Sequence, residues 1–218
     1  MDKITVIVPH YGHKQYLMDA VQSILNQTFI NFELFILNDD VESLKSYELL
    51  DDRIKVFDRI GDNKLSSEIR VNKILPLCSK YILYQEADAI SFPNRIDISL
   101  KYLKNKKVDI ICCHCINMSF AKSVVYAKGF KGKRYSGIST TLMKKSVLTA
   151  IKLNEKITYG SDIDWWHRIE RSQFKYYLID LPLLKRYTDT SSVRKYCKIP
   201  IIGKLHRYYL NLLFKLRS

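Results

Sequence analysis

The chain has 218 residues, a length that predicts one large domain or a domain plus a short tail. Of these residues 47% are hydrophobic and 27% are charged, a globular mixture that excludes a largely disordered chain. With only 7 glycines and 5 prolines, collagen-like and linker-rich architectures are excluded as well. The net charge of +14 predicts an anionic partner: a nucleic acid, a membrane surface or a phosphate-bearing small molecule.

The first ninety residues alternate between apolar runs of strand length and segments with helical spacing. Strands are predicted at 4–8, 32–37, 54–57 and 81–84. Helical segments are predicted between them, at 17–25, up to residue 50 and at 69–77. This alternation is typical of an α/β protein with a parallel sheet, whose ligands bind at the carboxyl ends of the strands. The polar residues that follow the strands are therefore the candidate site residues.

The second half of the chain is less regular. Helices are predicted at 95–103, 144–152 and 162–171, and strands at 108–118, 139–143 and 176–179. The Gly- and Lys-rich stretch 122–137 is predicted to be a loop. No internal repeat or clear domain boundary is visible in this half.

The sequence contains five cysteines, an odd number, and no secretory signal is recognised at its start. We therefore expect reduced thiols in a cytoplasmic protein. The cluster Cys112-Cys113-His114-Cys115 suggests a metal knuckle, but it lies inside the predicted strand 108–118. Neighbouring residues of a strand point to opposite faces, and zinc sites normally need a C-x2-4-C pair and a second pair. The cluster is therefore interpreted as core cysteines.

Two carboxylates, Glu86 and Asp88, stand two residues apart just after the strand at 81–84. In an extended segment such a pair faces one side, where it can hold a divalent cation. Mn²⁺ or Mg²⁺ binds carboxylates together with substrate phosphate oxygens. On this motif alone, solvated loop acids are an equally good interpretation.

The end of the chain carries much of the positive charge: residues 185–218 contain nine Lys or Arg and a single acid. We expect residues 194–218 to form a basic amphipathic helix. Its apolar face carries Ile201, Leu205, Tyr208, Tyr209, Leu212 and Leu216, and a separate face carries Lys204, Arg207, Asn211 and Lys215. The helix either binds an anionic membrane surface or packs on the domain with its basic face in water. No run of about 18 apolar residues occurs, so no membrane-spanning helix is expected.

Four stretches, taken in order, resemble glycosyltransferase family 2, whose fold is the GT-A nucleotide-sugar-binding fold. They are Ile4-Thr-Val-Ile-Val-Pro-His-Tyr11 followed by residues 20–28, Asn31-Phe-Glu-Leu-Phe-Ile-Leu-Asn-Asp-Asp40, Glu86-Ala-Asp88 with Pro93-Asn-Arg95, and Ser161-Asp-Ile-Asp-Trp-Trp-His-Arg168. The resemblance extends over about residues 3–193. It implies a GT-A domain at 1–193, with a Rossmann-like, mostly parallel central sheet flanked by helices.

The resemblance also implies the chemistry: an inverting transfer of a sugar from a nucleotide diphosphate, UDP by preference, to an acceptor hydroxyl. Asp162 matches the catalytic base, and Glu86 and Asp88 match the motif that binds Mn²⁺ or Mg²⁺. Residues matched to nucleotide binding are Pro9, His10, Tyr11, Asp39, Arg70, Asn72 and Arg186. Asp164 lies about 200° around the helix from Asp162 and is expected to be structural. Trp165 and Trp166 either stack on an acceptor sugar or belong to the core.

The chain departs from the family pattern at three positions: Glu86 replaces the usual Asp, Ala89 stands where a third acid is common, and Ser161 stands where Glu is common. The alternative function is therefore a catalytically degenerate, transferase-like binding protein. A nucleic-acid partner is not expected, since no recognised binding motif is found.

The family suggests a place in the cell and an acceptor. The acceptor is expected to be a glycan or a lipid-linked saccharide, in cell-surface polysaccharide or glycolipid assembly. The protein is expected to be cytoplasmic, either free or peripheral on the inner face of the cell membrane.

Overall fold

The computed structural model describes residues 2–12, 14–59, 70–117, 124–125, 137–157 and 161–187. The predicted C-terminal helix at 194–218 and most of the predicted loop at 122–137 lie outside these residues. Among the described residues, no helix is both long enough and apolar enough to cross a membrane.

The strands agree with the apolar runs of the sequence, with two short additions. They are β1 Ile4–His10, β2 Phe32–Asn38, β3 Ile54–Asp58, β4 Tyr81–Tyr84, β5 Ala89–Ser91, β6 Ile110–Asn117, β7 Val124–Val125, β8 Thr141–Lys144 and β9 Tyr176–Arg186. Strand β5 is not predicted, because its three residues follow the acidic motif without an apolar run of their own. Strand β7 corrects the prediction of a loop at 122–137, since these two residues gain their order from pairing with β6. Strand β9 continues seven residues beyond the predicted end at 179.

The helices occupy predicted helical segments, but two of them are longer and two are shorter than the sequence pattern indicates. They are α1 Lys14–Leu25, α2 Val71–Ile74, α3 Arg95–Asn105, α4 Lys145–Ala150 and α5 Ser161–Glu170. Short 3-10 helices lie at Lys45–Leu49, Leu75–Leu77 and Ile138–Thr140. Pro76 lies within the second of these, and it interrupts the segment predicted as one helix at 69–77.

The described strands form one mixed sheet in the order β3-β2-β1-β4-β8-β6-β9-β5, with β7 paired to β6. Strands β1 to β4 are parallel to one another, as the alternating pattern predicts. Strand β8 is antiparallel to β4 and β6, and β9 is parallel to β6. Six of the nine described strands therefore run in one direction, and the prediction of a mostly parallel sheet is confirmed.

Two apolar layers cover the sheet, one on each face. The side chains of Ile4, Val6 and Val8 on β1 pack with α1 and α3 on one face. Ile7 on the same strand belongs to the other layer, which α2, α4 and α5 cover. Cys112 and Cys113 lie buried in β6, as the interpretation of core cysteines requires.

This topology collects the polar strand ends at one edge. His10, Asn38 and Asp58 are the last residues of β1, β2 and β3, and they are paired side by side across these strands. Because β4 and β9 run in the same direction, the residues after Tyr84 and the end of β9 at Arg186 reach the same edge.

Candidate functional site

A row of polar side chains forms the floor at one end of this edge. His10 is fully buried, and its Nδ1 lies 3.1 Å from Asn38 Oδ1. The Asn38 amide donates to Asp58 Oδ1 at 2.8 Å. Sequence reasoning missed Asp58, although an acid directly after the apolar strand at 54–57 is the same signal that marked Asp39. The row holds three neighbouring strand ends in a fixed arrangement.

Asp39 and Arg70 form a buried ion pair beside this row. Asp39 Oδ1 lies 2.5 Å from Arg70 Nε, and the side chains are 7% and 3% exposed. The Asp39 backbone N–H donates to His10 O at 3.0 Å, which fixes Asp39 to the end of β1. Burial raises the pKa of Asp39 to about 6, in spite of the opposing effect of the Arg70 charge. This pair places a carboxylate and a guanidinium together at the carboxyl edge of the sheet.

The turn after β1 exposes the next two residues. Pro9 is buried within the strand, whereas Tyr11 is 68% exposed. Gly12 has a φ of +69°, which side chains rarely adopt, and its N–H donates to Asp40 Oδ2 at 3.1 Å. Asp40 therefore anchors the turn that presents Tyr11 at the rim of the edge.

The side chain of Asn72, in α2, is hydrogen-bonded to the protein backbone rather than exposed at the sheet edge. Its amide donates to Leu153 O at 2.8 Å, and its Oδ1 accepts from the Leu153 N–H at 3.1 Å. Its Nδ2 also lies 3.3 Å from Glu155 Oε1. These contacts hold α2 against the segment that follows α4. Because α2 begins directly after Arg70, they also help to fix the position of Arg70.

The predicted metal motif lies in the turn between β4 and β5. Glu86 Oε2 accepts a hydrogen bond from Arg186 Nη1 at 2.9 Å. Asp88 is only 8% exposed, and its backbone carbonyl accepts from the Tyr187 N–H at 2.9 Å. The antiparallel pairing of β5 with β9, which places Ala89 opposite Arg186, brings these groups together. Three of the predicted site residues thus meet at one point.

A buried arginine supports this turn from below. Arg95, at the start of α3, is fully buried and donates to four acceptors. They are Gln85 Oε1 at 2.5 Å, Ser91 Oγ at 2.8 Å, Tyr84 O at 2.9 Å and Ser139 O at 2.8 Å. Arg95 therefore connects both ends of the acidic turn to the segment that leads into β8.

Asp162 lies in the first turn of α5, close enough to Glu86 and Arg186 for their charges to act on it. Burial is the main reason that its pKa is raised; the Glu86 charge raises it further, while a hydrogen bond from the Ile163 N–H and the Arg186 charge oppose the shift. Asp164 instead accepts from Arg168 Nε at 2.8 Å, within the helix. The structure therefore gives the two acids different surroundings, and Asp162 is the one near Glu86.

Trp165 and Trp166 belong to the core rather than to an acceptor platform. They are 0% and 2% exposed, and the Trp165 indole N–H donates to Ile151 O at 2.8 Å. Sequence reasoning also missed Cys115, whose partly buried thiol lies near Glu86 and Arg186. Burial raises its pKa to about 12, so it is a neutral neighbour of the site.

The donor set at the acidic turn fits a hard divalent cation. Within the described residues, no cluster of three or more His, Cys, Asp or Glu side chains forms a complete metal site. Two carboxylates, Glu86 and Asp88, are nevertheless the usual protein contribution where substrate phosphates and water complete the shell of Mg²⁺. The ion pair between Arg186 and Glu86 shows that the acidic turn binds a positively charged group.

The family model of glycosyl transferase family 2 matches residues 5–124, more than half of the chain. The chain belongs to glycosyltransferase family 2. The match contains the polar row, the Asp39–Arg70 pair and the acidic turn.

Relatives of this glycosyltransferase support the assignment. An uncharacterised glycosyltransferase of Methanocaldococcus jannaschii is 26% identical over 96% of this chain and 79% of its own length. The O-antigen biosynthesis glycosyltransferase WbnJ of Escherichia coli is 28% identical over 51% of this chain and 45% of its own.

Solved structures agree on the fold. Residues 1–349 of S. aureus TarS, in complex with UDP, superpose with a TM-score of 0.71 at 15% identity, over 85% of this chain. The glycosyltransferase spans 60% of that TarS chain and less than half of WbnJ. The fold is of the GT-A type.

Proposed function

We propose that the protein transfers a hexosyl group from a nucleotide-diphosphate donor, by preference a UDP-sugar, to an acceptor hydroxyl with inversion at the anomeric carbon. The observation that carries the proposal is the collection of three elements along one sheet edge: the Asp39–Arg70 pair, the Glu86–Asp88 turn with Arg186, and Asp162. In this order they suit a nucleobase, a diphosphate and a reacting hydroxyl. The complex of the similar TarS fragment with UDP supports a uridine nucleotide.

The nucleobase would contact the Asp39–Arg70 pair. An ionised Asp39 accepts a hydrogen bond from a uracil N–H, and Arg70 donates to a carbonyl oxygen of the base. Tyr11, exposed at the rim, would pack against base or ribose, above the end of β1 at Pro9 and His10. Asn72 would act indirectly, by holding the helix that follows Arg70.

The diphosphate would lie over the acidic turn. Asp88 and Glu86 would hold Mn²⁺ or Mg²⁺, a cation that neutralises negative charge on a departing diphosphate. Arg186 supplies a further positive charge beside Glu86, and its guanidinium suits phosphate oxygens. Arg95 keeps the turn rigid from beneath.

Asp162 would act as the general base. It takes the proton of the acceptor hydroxyl while the hydroxyl oxygen forms a bond to the anomeric carbon. The bond from that carbon to the donor phosphate oxygen breaks on the opposite side, which inverts the centre. The raised pKa of Asp162 makes it a stronger proton acceptor than an ordinary aspartate. The proton passes to solvent after the product leaves.

The acceptor is proposed to be a glycan or lipid-linked saccharide of cell-surface polysaccharide or glycolipid assembly. Similarity to an O-antigen biosynthesis glycosyltransferase supports this class of acceptor. A basic helix at residues 194–218 would place the enzyme on the cytoplasmic face of an anionic membrane, where lipid-linked saccharides are presented.

A screen of nucleotide sugars tests the proposal. Thermal stabilisation and hydrolysis are measured for a panel of UDP-, GDP-, ADP- and dTDP-sugars, with and without Mn²⁺. We expect a UDP-sugar to stabilise the protein in a Mn²⁺-dependent way and to be hydrolysed slowly, and we expect Asp88→Asn to lose both effects. Stabilisation without any hydrolysis would favour the degenerate binding protein, and no effect from any nucleotide sugar would contradict the proposal.

A further inference from the structure

The contact between Glu86 and Arg186 joins a proposed metal ligand to a proposed phosphate ligand. Arg186 Nη1 lies 2.9 Å from Glu86 Oε2, and the side chains are 36% and 29% exposed. The backbones on both sides are fixed, because Ala89 pairs with Arg186 and the Tyr187 N–H donates to Asp88 O. Any rearrangement at this contact is therefore a movement of side chains rather than of strands.

The surroundings of Arg186 are strongly acidic. Its charge interacts with Glu86, with Asp88 and with Asp162, and the pKa of Arg186 is raised chiefly by Glu86. An arginine in this position compensates the acids of the turn in the absence of any ligand. A divalent cation that binds Glu86 through Oε2 must then compete with a guanidinium for the same oxygen.

We propose that Arg186 competes with the metal for Glu86 in the free enzyme, and that the donor diphosphate relieves this competition by drawing Arg186 onto its phosphate oxygens. The inference rests on the proposed function. A metal that arrives alone must displace Arg186 and leave two positive charges side by side. A metal that arrives with a diphosphate brings the anion that both cations need, so metal and donor bind cooperatively.

The length of the Glu86 side chain contributes to the proposed exchange between Arg186 and the metal. The family pattern has Asp at this position, and the additional methylene of Glu extends the carboxylate's reach, here to Arg186 across 100 residues of sequence. A carboxylate on a longer, more flexible arm can exchange one partner for another while the backbone stays in place.

Binding of Mn²⁺ alone is the direct test, because it does not depend on turnover. Free Mn²⁺ is followed by electron paramagnetic resonance in titrations of wild type, Arg186→Met and Arg168→Met. Arg168 pairs with Asp164 within α5, so its variant is the matched control. Without nucleotide, we expect Arg186→Met to bind Mn²⁺ roughly two- to fivefold more tightly than wild type, because loss of one ion pair frees Glu86. Arg168→Met should match wild type.

The same titrations with UDP or inorganic pyrophosphate measure the relief. In wild type, either ligand should tighten Mn²⁺ binding by roughly 5- to 150-fold beyond its own chelation in protein-free samples. In Arg186→Met this enhancement should shrink. Pyrophosphate separates the two proposals, because relief needs only the diphosphate: if pyrophosphate tightens Mn²⁺ binding and UDP does not, the proposed donor is wrong and the inference stands.

Equal or weaker Mn²⁺ binding by Arg186→Met in the absence of nucleotide would overturn the inference. Circular dichroism and thermal melts establish that the variant is folded. If Arg186→Met does not fold, Arg186→Lys carries the test, since lysine keeps the charge but not the planar fork. It should shift Mn²⁺ binding in the same direction by a smaller factor, and an unchanged affinity would also overturn the inference.

Discussion

Asp39 and Arg70 form a buried ion pair at the carboxyl edge of the sheet, with 2.5 Å between Oδ1 and Nε. The desolvation of Asp39 outweighs the attraction of Arg70, so the pKa of the carboxyl is about 6. The proposed base-recognition group therefore changes its charge just below neutral pH.

Binding of UDP should depend on the ionisation of Asp39. Above about pH 6 the carboxyl is ionised and accepts a charge-assisted hydrogen bond from the uracil N–H; below it the carboxyl is protonated and accepts only a weaker, neutral hydrogen bond. We expect affinity to fall as the pH drops through about 6, by up to about tenfold for each further pH unit. Isothermal titration of UDP with Mn²⁺ between pH 5 and 8 measures this.

Asp39→Asn is the control for this pH dependence. It keeps an oxygen acceptor but cannot ionise, so its affinity should be lower at pH 8 without the added loss near pH 6. The ratio of wild-type to variant affinity removes the titration of the UDP phosphate itself, whose pKa is also near 6. A ratio that stays constant from pH 5 to 8 would contradict the role of Asp39.

Arg95 should be among the most important polar residues for stability. Arg95→Met removes hydrogen bonds to Gln85, Ser91, Tyr84 and Ser139, and leaves buried acceptors unpaired. We expect the free energy of unfolding to fall by about 3–5 kcal/mol, because each buried acceptor left unpaired costs about 1–3 kcal/mol. Arg168→Met, which loses only a partly exposed pair within α5, should cost less than about 1 kcal/mol. Urea denaturation compares the two, and similar losses would show that Arg95 has no special role.

The basic segment at the end of the chain should bind anionic membranes. Each well-placed Lys or Arg contributes about 1 kcal/mol near an anionic surface, so Lys204, Arg207, Lys215 and Arg217 together would hold the protein at low salt. We expect the full chain to float with anionic liposomes, and a chain truncated before Pro200 to remain in the bottom fraction.

The truncated chain also tests the alternative of a helix packed on the domain. If the segment lies on the membrane, truncation should leave the melting temperature and UDP binding unchanged. A lower melting temperature with unchanged flotation would instead place the apolar face on the domain. Salt should weaken flotation of the full chain, because the attraction is electrostatic.

Much of the fold follows from local patterns in the sequence. The runs that form β1, β2 and β4 are apolar apart from Thr5 and Glu33 and the polar residues at the ends of β1 and β2, and a strand buried on both faces needs such a mainly apolar run. Strand β5 could not be predicted, because Ala89, Ile90 and Ser91 gain their order from pairing with β9 rather than from their own composition.

The features of the site that the sequence did not predict depend on contacts between residues that are distant in the chain. Glu86 and Arg186 are each recognisable from their motifs, but the ion pair depends on the β5–β9 pairing. Asn72 has a family resemblance to a nucleotide ligand, yet its amide is engaged by Leu153, a contact that only the tertiary structure reveals. Trp165 and Trp166 were ambiguous because helical spacing alone does not define which face is covered.

Release of UDP from the donor found in the screen, measured for wild type, Asp162→Asn and Asp164→Asn, tests the central claim most directly. The claim is that the protein is an enzyme in which Asp162 takes the proton of the attacking hydroxyl. We expect Asp162→Asn to bind the donor like wild type but to release UDP about 10²–10⁴-fold more slowly, in hydrolysis or in transfer, and Asp164→Asn to retain most of the rate. A wild-type protein that binds the donor without releasing UDP, or a loss of rate in Asp164→Asn with Asp162→Asn unaffected, would contradict the account.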